Sequence, residues 1–284
     1  MARMSWREAC LLDTTLASLE RFFTIPPDYA QTLTGGLTNR CWKIVESCGT
    51  AYVWRPITPI TQAFSISRFQ EFQILSAIQT SGLSPKPIFI SDKGLLVEWL
   101  EGQGMNDSLS FEQLIASLVS VHSLPTTRIP VAPFNFTARV DHYWMQIKPD
   151  LKSEAFQMVY RDWRNPPSLA EVGQTLCHFD LAGYNMVQAE HGMQIIDWEY
   201  ATIGDPRLDL TLSIDVEGLD EMQAIQSYCQ LRQLDGIDDW VEGVRAWRPR
   251  ANMMAMLWYL LAYQLWGDDY YLEQAEQLKM QFCT

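Results

Sequence analysis

The chain has 284 residues, 48% of them hydrophobic, enough for one large domain or for two lobes with real cores. Its 34 Asp and Glu outnumber its 21 Lys and Arg, for a net charge of −13 and a pI near 4.7. That balance argues against a nucleic-acid partner, which calls for a basic face; an anionic nucleotide still fits if a metal cation bridges it. No run reaches the ~18 apolar residues that span a bilayer, and the richest window, 253–266, reads as a buried helix. The first 23 residues lack an uninterrupted apolar core and a cleavage site, so no signal peptide is expected. The six cysteines form no CxxC pair and suit reduced thiols in the cytoplasm.

Residues 6–23 have helical spacing, with Leu12, Leu16, Leu19 and Phe23 on one side and Pro26-Pro27 as the stop. A short strand is expected before the glycine-bearing turn 33–40. Two β-rich segments follow, 41–47 and 51–56, joined at Cys48-Gly49-Thr50 as a hairpin. The spacing predicts a helix over 64–80, with Phe69, Phe72, Leu75 and Ile78 on its buried face, ended by Gly82 and the prolines at 85 and 87. Strands fit 87–92 and 94–100. The glycine-bearing stretch 101–108 reads as a linker between a β-rich lobe, 1–100, and a helical lobe, 101–284. Ser110, with Gln113 three residues on, is a capping box for a helix reaching His122. Helices are expected at 137–148, 151–163, 168–176, 217–233 and 249–282. His122 itself reads as a helix-end or core histidine.

Polar groups concentrate in 176–210. His178, Asp180 and Asn185 lie on one loop, and Asp197 follows the apolar run 193–196, which reads as a strand delivering it beside that loop. Two carboxylates and an amide oxygen are hard ligands suited to Mg²⁺, and one carboxylate can instead accept a hydroxyl proton. Phosphoryl transfer needs both parts. Asp205 and Asp209 read equally as caps of the next helix or as supports of the loop.

The string H-x-D-x-x-x-x-N followed by I-I-D-W-E resembles the aminoglycoside phosphotransferase and choline kinase group of protein-kinase-like enzymes. The resemblance covers most of the chain and is strongest over 176–210. It implies an α+β, two-lobed kinase-like fold, ATP and Mg²⁺ as cofactors, and transfer of the γ-phosphate to a small-molecule hydroxyl. By position, Asp180 resembles the catalytic base, Asn185 and Asp197 the Mg²⁺ ligands, and His178 a structural support. Gly35, Gly36, Thr38 and Asn39 fall where such enzymes place a phosphate-covering loop. Arg55 stands where protein kinases carry a phosphate-holding lysine, Glu71 matches its helix partner, and Glu98, Trp99 and Leu100 match the adenine-contacting hinge.

The C-terminal region is rich in rings: Trp247, Trp258, Tyr259, Tyr263, Trp266, Tyr270 and Tyr271. Trp198 and Glu199 follow Asp197 directly. Aromatic faces attract organic cations; helix packing is the better reading of any single ring, but rings, acidic charge and the D-W-E-Y sequence occurring together make Trp198, Glu199, Trp258, Tyr263 and Trp266 the expected substrate contacts. Within the group the chain looks most like bacterial thiamine kinases and choline or ethanolamine kinases, which implies a small cationic alcohol as acceptor. Aminoglycosides as acceptors, and a non-catalytic nucleotide or metabolite sensor on the same fold, are the alternatives.

Overall fold

The computed structural model describes residues 3–33 and 41–282. Residues Met4–Ser5 form a short strand, β1, and Ser5 then caps α1 (Trp6–Leu12) in a reciprocal box with Glu8. The single helix expected over 6–23 breaks at Asp13. Its carboxylate accepts from the Thr15 backbone N–H at 2.9 Å and from Trp42 Nε1 at 2.9 Å, an alternative to helical bonding that short acidic side chains offer. A 3-10 helix, Thr14–Arg21, follows, burying Leu16 and Leu19 while Leu12 is left 70% exposed.

Strands β2 (Tyr29–Thr32), β3 (Trp42–Val45) and β4 (Ala51–Pro56) are followed by α2 (Pro59–Ala63), α3 (Arg68–Ile78), β5 (Pro87–Ser91) and β6 (Gly94–Glu98). The strands build one antiparallel sheet, ordered β1-β2-β3-β4-β6-β5, with Arg55 opposite Leu95. Helix α3 turns an unusual face inward. Arg68 and Glu71 are buried beside Ile74, Leu75 and Ile78, whereas Phe69, expected inside, is 51% exposed.

The expected linker is partly a strand. β7 (Gly102–Gly104) pairs with β9 (Met186–Ala189), which in turn pairs with β10 (Gly192–Ile195). At Gly102 even a Cβ would stand 2.5 Å from the Gln188 carbonyl, so the close approach requires glycine. Beyond it lie α4 (Phe111–His122), which has the expected Ser110–Gln113 box, then α5 (Phe136–Gln146) and α6 (Glu154–Trp163). No helix forms over 168–176. Residues 164–174 are irregular, and β8 (Thr175–Cys177) pairs instead with β11 (Thr202–Gly204), a non-local ladder that local spacing does not reveal. The remaining helices are α7 (Pro206–Glu217), α8 (Glu221–Arg232), α9 (Ile237–Trp266) and α10 (Asp269–Met280). The helix expected over 217–233 starts only after Gly218. The one expected over 249–282 is split at Gly267, a left-handed C-terminal cap (φ 70°).

One apolar core runs through both lobes. Ile74, Leu75, Leu95 and Val97 of the sheet lobe pack with Leu114, Leu118, Leu176, Met186 and Ile195 of the helical lobe. A second core lies among α5, α6, α9 and α10, and a third under the N-terminal sheet. The first core and the Ile195 N–H to Leu83 carbonyl bond (2.7 Å) bring the end of β10 up against the sheet lobe. Among the described residues no helix is long and apolar enough to cross a membrane, and the five cysteines are free thiols.

Candidate active site

The loop after β8 is suspended from one buried carboxylate. Asp209, fully buried in the first turn of α7, accepts from the backbone N–H groups of His178 and Phe179, both at 2.7 Å, and from His122 Nε2 at 3.0 Å. Tyr228 donates its hydroxyl to the other nitrogen of His122 at 2.7 Å. Asp209 therefore supports the loop. Asp205 instead caps α7, accepting from the Arg207 N–H and guanidinium and from Trp247 Nε1 at 2.9 Å. Trp247 is thus a buried structural ring. His122 is the core histidine it was expected to be.

His178 is fully buried, and burial pushes its imidazole pKa down, leaving a neutral ring. Its Nε2–H donates to the Ile196 carbonyl at 3.0 Å, and the Ile196 N–H donates to the Asn185 carbonyl at 2.9 Å. The loop and the end of β10 are stitched together at the point where Asp180, Asn185 and Asp197 meet. Two residues beside them hold left-handed backbone without being glycine, Phe179 (φ 62°) and Asp197 (φ 63°). Such conformations persist where surrounding bonds over-determine them.

Asp180 is half-buried. Its Oδ2 accepts from Asn185 Nδ2 at 3.0 Å and its Oδ1 from the Tyr184 hydroxyl at 2.6 Å. Burial pushes its carboxyl up to about 7; the Tyr184 bond opposes this, and the charges of Asp197 and Glu199 add to it. Such a group is poised to take a proton near neutrality. Asn185 spends Nδ2 on Asp180, on both its carbonyl (2.8 Å) and its carboxylate, which leaves Oδ1 as the oxygen available to a cation.

Opposite this loop lies a buried ionic network. Arg55 pairs with Glu71 (2.9 Å), with Glu199 (2.9 Å) and closely with Asp197. Arg68, absent from the sequence expectations, bridges Glu71 and Glu199. Burial works against both arginines, yet the facing carboxylates raise Arg55 well above its ordinary value and raise Arg68 too. Burial pushes Asp197 up, but the two guanidinium groups outweigh it and hold the carboxyl below its usual range. Two cations face three carboxylates here, and Asp197 keeps the most exposed side chain of the five at 28%. Burial, with the charge of Asp197, pushes the Glu199 carboxyl up to about 7, so the accessible carboxylate of the network is Asp197, an oxygen donor that with Asn185 Oδ1 suits a divalent cation. The signal for Arg68 lay in α3: a charged residue three positions from Glu71 shares its helix face.

The other expected contacts separate. Trp198 is 1% exposed, donates Nε1 to the Ile195 carbonyl (2.8 Å) and meets His178 edge-on at 4.9 Å. It is a wedge under the loop and does not line a substrate site. Glu199 is 6% exposed and committed to the arginines, so it too is removed from direct substrate contact. Trp258 and Trp266, half-buried like Tyr259, belong to an aromatic cluster with the buried Phe64 and Tyr271. Tyr263 packs on the same core, one turn beyond Tyr259. Burial raises the Tyr259 phenol pKa, with the charge of Asp180 a minor addition. At the hinge, Glu98, Trp99 and Leu100 are half-buried, the Trp99 N–H is committed to the Ala51 carbonyl (3.1 Å), and Lys43 lies 3.7 Å over the Trp99 ring. Gly35, Gly36, Thr38 and Asn39 lie outside the described residues.

A loop carrying Asp180 and Asn185 beside Asp197, itself part of a buried cation–carboxylate network, is the arrangement expected of a kinase-like phosphotransferase. The profile of the phosphotransferase enzyme family (APH) matches residues 30–250, and the chain belongs to that family. A thiamine kinase of Escherichia coli (strain UMN026) is 25% identical over 264 residues, 91% of each chain. An ethanolamine kinase of Plasmodium vivax superposes with a TM-score of 0.75 at 16% identity, covering 98% of this chain and 89% of that one. The choline kinase LicA of Streptococcus pneumoniae gives 0.71 at 16% identity, with 92% and 95% covered, and has also been solved in complex with AMP. The chain is accordingly a small-molecule phosphotransferase with the protein-kinase-like fold.

Proposed function

We propose that the protein transfers the γ-phosphate of ATP to the primary hydroxyl of a small cationic alcohol, with thiamine and choline or ethanolamine as the candidate acceptors. Residues 1–100 form the nucleotide-binding lobe and 101–284 the catalytic and substrate-binding lobe. The observation that carries this reading is Asp180, a half-buried carboxylate with a raised pKa, hydrogen-bonded to Asn185 and facing the Arg55–Asp197 pair.

Adenine is assigned to the hinge Glu98–Leu100, and the phosphates to Arg55, whose orientation Glu71, Glu199 and Arg68 hold. Asp197 and Asn185 Oδ1 would hold Mg²⁺, which would supply neutralisation of phosphate charge. Asp180 accepts the proton of the acceptor hydroxyl. Apart from that proton transfer, these side chains position and compensate charge, which carries most of the acceleration in phosphoryl transfer. A cationic acceptor suits the half-buried rings Trp258, Tyr263 and Trp266, the chain's net negative charge, and the relationship to thiamine kinase.

The test is ADP release from MgATP with thiamine, choline, ethanolamine and an aminoglycoside, for the wild type and Asp180→Asn. Acceleration by a cationic alcohol in the wild type, lost in the variant while MgATP still binds, is the expected outcome. Acceleration only by the aminoglycoside would move the substrate class. No acceleration by any alcohol, with MgATP bound, would make the protein a nucleotide sensor.

A further inference from the structure

We propose that Tyr184 is a positioning residue that guards the catalytic base against water. The inference rests on Asp180 being that base.

Both oxygens of Asp180 are engaged. Asn185, itself buried, holds Oδ2, and the Tyr184 phenol donates to Oδ1 at 2.6 Å. Oδ2 faces the buried Asn185 and Oδ1 faces the exposed Tyr184, so the open approach to the carboxylate is on the Oδ1 side, where the phenol hydroxyl takes up one of its acceptor positions. The Tyr184 ring is 49% exposed, so core packing does not pin it, and its side-chain torsions can carry it aside. The backbone beneath it is fixed. Gly183 sits so close to Asn106 and Met105 that an added Cβ would lie 3.2 Å from each, and the Gly183 N–H donates to Glu217 at 2.6 Å. Movement is thereby confined to the tyrosine side chain.

Displacing the phenol costs one short hydrogen bond to a carboxylate. An alcohol larger than water makes further contacts with the protein that recover that cost. A water molecule has only its own hydrogen bonds to offer. In productive transfer the acceptor oxygen forms the new bond to the γ-phosphorus, the bond to the β-bridging oxygen breaks, ADP departs, and the acceptor proton passes to Oδ1. In the wasteful reaction water takes the acceptor's place. Tyr184 discriminates between the two at the proton-accepting atom.

The experiment compares Tyr184→Phe with the wild type in acceptor-free ADP release from MgATP, and in KM for thiamine and choline. The variant keeps the ring and removes only the hydroxyl. MgATP affinity is expected to be unchanged and thermal melting lowered by no more than the loss of one exposed hydrogen bond, with acceptor-free hydrolysis raised about five- to tenfold, the factor one hydrogen bond supplies. The rise must vanish in Tyr184→Phe/Asp180→Asn, since it operates through the base. KM for whichever alcohol is used falls in the single variant. Acceptor-free hydrolysis that stays at the wild-type rate, or falls in parallel with transfer, overturns the proposal. A rise that survives the double substitution overturns it as well. If Asp180→Asn alone retains full transfer, the base assignment has failed, a result separable from any behaviour of Tyr184→Phe.

Discussion

Replacing Asp209 by Asn changes almost no volume, yet it should unfasten the catalytic loop. The carboxylate is fully buried and accepts three donors: the Phe179 N–H on Oδ1, and the His178 N–H and His122 Nε2 on Oδ2. An amide has one acceptor oxygen, so either one or two of these bonds are lost, and an N–H is left facing an NH₂. Each bond to a buried charged acceptor contributes about 1.5–3 kcal/mol, giving a loss of roughly 2–5 kcal/mol. Against a total stability of about 5–15 kcal/mol, that lowers Tm by about 5–15 °C. Because Asp180 immediately follows the two tethered amides, kcat should fall about a hundredfold, the effect of an ångström-scale misplacement. Calorimetry and steady-state kinetics read the two quantities. Asp205→Asn is the control: Asn keeps the helix cap, the charge of the Arg207 pair and a bond from Arg207 or Trp247 are lost at a cost of about 1–3 kcal/mol, and kcat should stay nearly intact. If Asp209→Asn melts with the wild type and keeps its kcat, the loop does not hang from this residue.

Three further outcomes are expected. Asp180→Asn should stabilise the metal-free protein at pH 8, although it abolishes transfer. With the carboxyl raised from 3.8 to about 7, its contribution is complete below the ordinary value and lost as pH rises through about 7. The ceiling is roughly 4 kcal/mol, cut by solvent access to about 1–2 kcal/mol, so the gain in Tm should be clear at pH 8 and shrink by pH 5. Arg68→Gln leaves Glu71 and Glu199 without their bridge and should cost about 3–5 kcal/mol in urea unfolding; it should also raise KM for MgATP, because Arg55 loses its fixed partners. Gly204→Ala places a methyl 2.8 Å from the Phe179 ring, beside the base. An overpacking cost of about 1–3 kcal/mol follows, with kcat lowered more than KM for ATP.

Much of the chemistry was legible along the chain because it is local. Asp180 and Asn185 share one loop, and Asp197 lies two residues past β10, which forms a hairpin with β9 directly after that loop, so all three fall in one short stretch of chain. Capping signals were equally readable: Ser110 with Gln113 has the same meaning in any helix, since only neighbouring backbone groups need satisfying. The failures are of another kind. β8 replaced an expected helix because its partner, β11, lies some 25 residues on in the chain. Phe69 lost its inward place to Arg68 and Glu71 because the charges facing α3 come from Asp197, Glu199 and Arg55.

What the sequence by itself determined is therefore the set of chemical groups and the class of reaction they permit. Only the tertiary structure decided which of those groups face one another. It assigned Trp198 and Glu199 to the interior, made Asp209 the tether and Asp205 the cap, and set the Tyr184 hydroxyl on Asp180. The physical reason is that burial and ion pairing are properties of neighbours. Residues 55, 68, 71, 197 and 199 acquire their charges' compensation only when two distant stretches of chain fold against each other.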